Sequence, residues 1–172
     1  DRWAGASSSG SGVSTALGLN YGSLGSDTGG SIRFPAASCG TVGLKPTWGR
    51  VSRYGVLALA ESLDHVGPLT RSSSDAGILL EAIAGLDPND PTTLPSPSKN
   101  ILVEIDKGIK DVRIGVDRQY IQQGVDPEVS QSVLDAIQVL AELGARIIDV
   151  KMPDVDQYLH SWPTLCSAEA LS

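Results

Sequence analysis

Apolar positions in the second half of the chain follow helix and strand periods closely. Val129, Val133, Ile137 and Leu140 recur at steps of four, four and three, which predicts a helix with one apolar face running on towards Gly144. Asp126-Pro127 just upstream supplies an N-cap followed by proline at the first helical position. Val112 to Val116 and Arg146 to Val150 are short β-branched runs and read as strands. Strand, helix, strand in that order is a βαβ unit, so the expected class is α/β with at least part of the sheet parallel. Ser72-Ser73-Ser74-Asp75 has the form of a helix start, with Ile78, Leu79, Ala82 and Ile83 at helical spacing and Gly85 as the stop. Asp87 to Asn100 holds four prolines and reads as a surface loop.

The first third has a weaker pattern. Val13 to Leu19 reads as a short helix of small residues and Asn20 to Gly25 as a buried strand. Asp27-Thr28-Gly29-Gly30 is a tight turn, followed by a short helix over Ser31 to Cys39. Leu44 to Val51 and Tyr54 to Leu59 read as extended, punctuated by Gly49 and Gly55. No internal repeat is visible.

Composition changes this picture in one respect. The 172 residues are 41% hydrophobic and 19% charged, ordinary for a globular domain, and no run of 18 apolar residues suggests a spanning helix. A net charge of −7 argues against direct nucleic-acid binding or a polybasic membrane patch. Cys39 and Cys166 are too few for a metal cluster or a disulfide framework, and favour a reduced, cytoplasmic setting. Residues 1–55, however, carry 12 of the 19 glycines and a charge of +3, leaving −10 for the remainder. Glycine serves where backbone turns sharply or approaches something closely, so the chemistry is expected there.

Two clusters stand out: Gly5-Ala6-Ser7-Ser8-Ser9-Gly10-Ser11 and Gly25-Ser26-Asp27-Thr28-Gly29-Gly30-Ser31-Ile32-Arg33. The first, on composition alone, reads as a flexible linker. The second can aim the N–H groups of Thr28 to Ser31 into an anion-binding concavity, suited to a phosphate or to the oxyanion of a tetrahedral intermediate. No P-loop lysine follows the glycines, and neither Gly-x-Gly-x-x-Gly nor Gly-x-Ser-x-Gly occurs. Acyl chemistry is favoured because a hydroxyl, Ser31, closes the nest.

These same residues resemble the signature of the amidase signature family of serine amidohydrolases. Gly5-Ala6-Ser7-Ser8-Ser9-Gly10 matches its first half and Gly25-x-Asp27-x-Gly29-x-Ser31-Ile32-Arg33-x-Pro35-Ala36 its second, with Ser7 and Ser31 24 positions apart. Cys39 to Thr47 and Ser62 to Arg71 also follow family text, so the strong resemblance covers residues 1–86. It implies a central mixed β-sheet flanked by helices, with residues 1–172 as the central part of a single larger domain. It also implies Ser31 as nucleophile, Ser7 as a proton-relaying serine after a cis Ala6–Ser7 peptide, and Thr28, Gly29, Gly30 and Ser31 as backbone oxyanion donors. Ser8, Asp27 and Arg33 would support them, Asp27 and Arg33 as a loop-shaping pair, with no metal and no cofactor.

The family's catalytic lysine lies upstream of the Gly-Ser cluster and is expected outside this chain. Lys45 matches a structural segment, and Lys99, Lys107, Lys110 and Lys151 read as solvated charges. With the base absent, the 172 residues alone are expected to be inactive and to expose apolar surface where absent segments would pack, Ser172 interrupting a helix. His65 beside Asp64 reads as structural, because neighbours on an extended segment face opposite ways. His160, near Trp162, reads as packed or pocket-lining. Cys39 and Cys166 read as small buried hydrophobes, and Phe34 as core-facing. Phe34 in the signature looks more like the generic amidases than the tRNA-dependent amidotransferase subunits. Two functions follow: an amidase acting on a small amide, with a homodimer as its assembly, or the A subunit of a glutamyl/aspartyl-tRNA amidotransferase, with the other subunits as partners. An inert fragment is the third reading.

Overall fold

The computed structural model describes residues 2–95 and 100–171, so the expectations for Lys99 and Ser172 lie outside the described residues. The chain divides into two compact units: residues up to Val103 together with those from His160 onward, and Glu104–Leu159.

The first unit contains α1 (Ser9–Ala16), β1 (Gly22–Asp27), α2 (Arg33–Cys39), β2 (Val42–Gly43), β3 (His65–Thr70) and α3 (Ser73–Ile83), and takes the larger part of α6 (Asp156–Ala170). Its sheet has the order β1-β3-β2 and is antiparallel, with β1 and β3 registered from Gly22↔Thr70 to Asp27↔His65. Pro68 sits in the central strand, where a missing N–H normally breaks a ladder. It is tolerated because its carbonyl, and hence its nitrogen, faces the side on which β2 has ended; there Pro68 only accepts, from the Leu44 N–H at 3.0 Å. Ile32, Ala36 and Leu69 form the buried apolar cluster that joins α2 to β3.

Helix α1 starts four residues before the expected Val13, inside the serine cluster. Hydroxyls rather than an apolar stripe hold it to β1. Ser11 Oγ donates to the Leu24 carbonyl at 2.8 Å, and Thr15 Oγ1 lies 2.5 Å from Ser23 Oγ. The first cluster is therefore not a linker. Strand β1 likewise lies two residues later than expected, with Leu24 about half exposed.

Among the described residues, the stretch from Leu44 to Leu59 forms no ladder beyond one bridge, Val51↔Ala84. Side chains replace it: the buried Asp90 carboxylate accepts from the Arg53 and Thr92 N–H groups at 2.8 and 2.9 Å, and the Arg53 guanidinium lies 4.8 Å over the Trp48 ring. The proline-rich loop is thus anchored over its first part. In α3 the buried residues are Ala76, Gly77 and Leu80, while Ile78 is exposed. A Cβ on Gly77 would come 2.6 Å from Leu102 Cδ2, so small residues let that segment lie close.

The second unit is the expected βαβ. Strands β4 (Arg113–Val116) and β5 (Arg146–Asp149) pair in parallel, connected through α4 (Arg118–Gln122) and α5 (Pro127–Glu142). Asp126 caps α5, accepting from the Glu128 N–H at 2.8 Å. The apolar stripe is present, but Val129 and Val133 lie exposed on it. The class is mixed α/β, with antiparallel pairing confined to the first unit and parallel pairing to the second. No helix among the described residues is long and apolar enough to cross a membrane.

Ser72 accepts from the Asp75 N–H at 3.1 Å as the cap of α3. Ser72→Ala is expected to destabilise the first unit by about 1 kcal/mol, read as a lower urea midpoint at unchanged slope.

Candidate active site

Residues 5–8 fold back against the start of α2. Gly5 adopts φ +81°, and a Cβ there would come 2.8 Å from Pro35 Cα, so both conformation and closeness require glycine. The Ala6–Ser7 peptide is cis. Ser8 then donates its N–H to the Ser31 carbonyl at 3.3 Å, and its hydroxyl bridges the Ser26 N–H and carbonyl, both at 3.2 Å. Gly25 admits this hydroxyl, since a Cβ there would lie 2.7 Å from Ser8 Oγ. The two serine clusters are thus stitched together, with Ser7 exposed and Ser31 half-buried. Among the described residues neither hydroxyl takes a hydrogen-bond partner.

The turn before Ser31 is built on Asp27, the last residue of β1 and only 1% exposed. Its carboxylate accepts from the N–H groups of Gly30 (2.8 Å), Ile32 (3.1 Å) and Arg33 (3.4 Å), and from Arg33 Nε and a terminal guanidinium nitrogen at 3.0 and 2.9 Å. Burial alone would raise its pKa. The hydrogen bonds from Arg33 and Ile32 and the guanidinium charge outweigh burial and hold the carboxyl below its ordinary value. The Arg33 side chain of this ion pair stays more than half exposed.

Each peptide in the turn has an assigned direction. Asp27 takes the Gly30 N–H, which leaves Thr28, Gly29 and Ser31 as the amides without a partner among the described residues. The Gly30 carbonyl accepts from the Phe34 N–H at 2.7 Å, so the Ser31 N–H on the same trans peptide points the opposite way. Thr28 Oγ1 donates to Asp64 Oδ1 at 2.5 Å, and Asp64 Oδ2 also accepts from the Leu59 and Ala60 N–H groups. His65 forms no dyad with Asp64; its Nδ1 lies 2.6 Å from the Leu63 carbonyl and 3.3 Å from that of Asp27.

Three features lie outside what the sequence predicts. Trp162 donates its indole N–H to the Thr28 carbonyl at 3.0 Å, and Glu169 holds Ser62 through its N–H and hydroxyl. Neither residue belongs to the motif, and nothing in their spacing signals a contact more than a hundred positions away. Phe34 does not face the core: it is 44% exposed and meets Trp3 edge-on with ring centres 5.1 Å apart, because the buried face of α2 is taken by Pro35 and Ala36. Lys45 is held by the Pro46 carbonyl at 3.1 Å, and burial together with the nearby Arg33 lowers its pKa despite the opposing pull of Asp27. Cys39 is half-buried with Sγ 3.6 Å from the Ala4 carbonyl, Cys166 is buried, and both are free. Among the described residues no three His, Cys, Asp or Glu side chains gather as metal ligands.

This arrangement pairs an unengaged serine hydroxyl with amide donors that are oriented and unpaired among the described residues, which is what attack on a carbonyl requires. Asp27→Asn is expected to destabilise the first unit by about 2 kcal/mol. Because Asp27 titrates lower when folded, its contribution is complete above the unfolded value of about 4 and is lost as pH falls through the folded value. Urea midpoints measured from pH 7 downward should therefore show an acid-side decline that is smaller in the variant.

The sequence profile of the Amidase family matches residues 1–172. The chain is 50% identical over 168 residues to the A subunit of the glutamyl-tRNA(Gln) amidotransferase of Listeria monocytogenes, covering 98% of this chain and 35% of that protein. Among solved structures, the corresponding A subunit from Thermotoga maritima superposes with a TM-score of 0.91 at 41% identity, covering 98% of this chain and 37% of that one. The native peptide amidase from Stenotrophomonas maltophilia gives 0.84 at 35% identity, covering 98% and 36%. The chain spans about a third of the length of the curated relatives it matches. With the family profile matched from end to end, the chain belongs to the amidase family, the amidase signature enzymes.

Proposed function

We propose that the full-length protein hydrolyses a carboxamide to a carboxylic acid and ammonia through an acyl-enzyme on Ser31. The observation that carries this reading is the turn itself: Ser31 stands, hydroxyl unengaged, at the end of a loop whose carboxylate, carbonyls and side chains are otherwise tied down. Ser31 Oγ attacks the amide carbon, and its proton passes through Ser7 to a lysine N-terminal to Asp1. The tetrahedral oxyanion is taken by the N–H groups of Thr28, Gly29 and Ser31, each such donor being worth about 3 kcal/mol in the transition state. The intermediate expels ammonia as the proton returns to the leaving nitrogen, and water then releases the acid. No metal or cofactor enters this scheme.

A second reading keeps this chemistry and changes its setting. The 50% identity to an amidotransferase A subunit favours glutamine as the amide, with ammonia received by a partner protein. Glutamine turnover that depends on added partner proteins separates this from free hydrolysis of simple carboxamides.

Ser31→Ala in the full-length protein is expected to lower kcat by three orders of magnitude or more, on the order of the loss when a serine nucleophile is removed. Full activity in that variant would remove Ser31 as nucleophile. Lys45→Gln is expected to keep kcat within a few-fold, because the proposed base lies elsewhere; a loss as large as that of Ser31→Ala would make Lys45 the base.

A further inference from the structure

We propose that Trp162 is a positioning residue for the oxyanion donors, acting through the Thr28–Gly29 peptide. This rests on the amide-hydrolysing role of Ser31. A trans peptide carries its C=O and N–H on opposite sides of one rigid plane, and among the described residues only Ala6–Ser7 departs from trans. The indole N–H holds the Thr28 carbonyl at 3.0 Å, so the Gly29 N–H of the same plane is directed away from the indole. The neighbouring peptide is set by the same logic at the Gly30 carbonyl, which is tied to the Phe34 N–H. Trp162 is thus the counterpart, from a distant helix, of a constraint that α2 supplies locally.

Two further contacts support the assignment. A Cβ on Gly29 would lie 2.6 Å from the indole Cε2 and Cζ2 atoms, so the ring packs directly against Gly29, the residue whose N–H it orients. Gly29 shows no left-handed φ, so glycine there reflects the indole's closeness rather than backbone conformation. The helix bearing Trp162 is also fixed to the segment that holds the Thr28 side chain. Glu169 takes the Ser62 N–H at 2.9 Å, and two residues on, Asp64 takes the Thr28 hydroxyl. Thr28 is thus held at its hydroxyl and at its carbonyl.

Loss of the indole N–H frees this peptide to turn. An amide that stabilises the charge developing on the carbonyl oxygen acts in the transition state more than in the ground state, so the effect belongs in kcat. In the full-length protein, Trp162→Phe is expected to lower kcat about tenfold with KM within twofold. Affinity for an aldehyde transition-state analogue should fall by the same factor, while that for the carboxylate product stays unchanged. Replacing Trp162 with 3-benzothienylalanine, which keeps the two-ring shape and lacks the N–H, should reproduce the loss even if the phenylalanine variant folds poorly. Unchanged kcat in the benzothienyl variant, or a rise in KM alone, overturns the proposal while Ser31→Ala still reports on the nucleophile. If Ser31→Ala is fully active, the reading of the site falls and this inference falls with it.

Discussion

One buried carboxylate organises the first unit. Asp27 ends β1, and the β1–β3 ladder delivers it to the interior, opposite His65. A lone carboxylate so placed would be expensive to leave charged. Three backbone N–H groups and a guanidinium surround it, and the guanidinium keeps much of its own contact with water. The neutralising charge therefore arrives without a second full desolvation, the usual weakness of buried ion pairs. The amides bound to Asp27 belong to the residues that begin α2, so the carboxylate fixes the strand end, the turn and the helix start together.

From that point the serine clusters follow. Ser8 reaches Ser26 and Ser31 because Gly25 leaves room and Gly5 can turn against Pro35. Packing here relies on hydroxyls and bare backbone more than on large apolar side chains. That explains how a region poor in hydrophobic pattern nonetheless packs around Ile32, Ala36 and Leu69.

The same fact decides what is legible in the sequence. Elements fixed by periodicity and capping can be read: Ser72 opens α3, Asp126 opens α5, and β4 and β5 pair in parallel. Ser7, Ser8, Asp27, Ser31 and Arg33 can be picked out because each of the two clusters is contiguous in sequence, and the structure brings the two segments together. Periodicity misplaces helix α1 because hydroxyls bonded to β1, not an apolar stripe, determine where it begins. Leu44 to Val51 and Tyr54 to Leu59 read as extended; between them, Asp90 and Trp48 hold Arg53 by its N–H and its guanidinium rather than through a ladder. The motif counts Gly30 among the oxyanion donors, whereas Asp27 already takes its N–H. Residue type assigns Phe34 to the core, yet the neighbouring Pro35 and Ala36 occupy that face. Trp162 cannot be found from the sequence at all, since its partner is a backbone carbonyl and leaves no mark on spacing.

The separation of Trp162 from Thr28 has a consequence for assembly. The Ser8–Ser26 link closes over 18 positions, whereas the indole contact closes over 134. For a free chain the longer closure carries about 2 kcal/mol more entropy loss. The serine-lined turn therefore closes at less entropic cost than the contact that orients its Thr28–Gly29 peptide, which comes from a helix more than a hundred positions further along the chain. The hydroxyls of the site are gathered by short closures, and the aim of its donors by a long one.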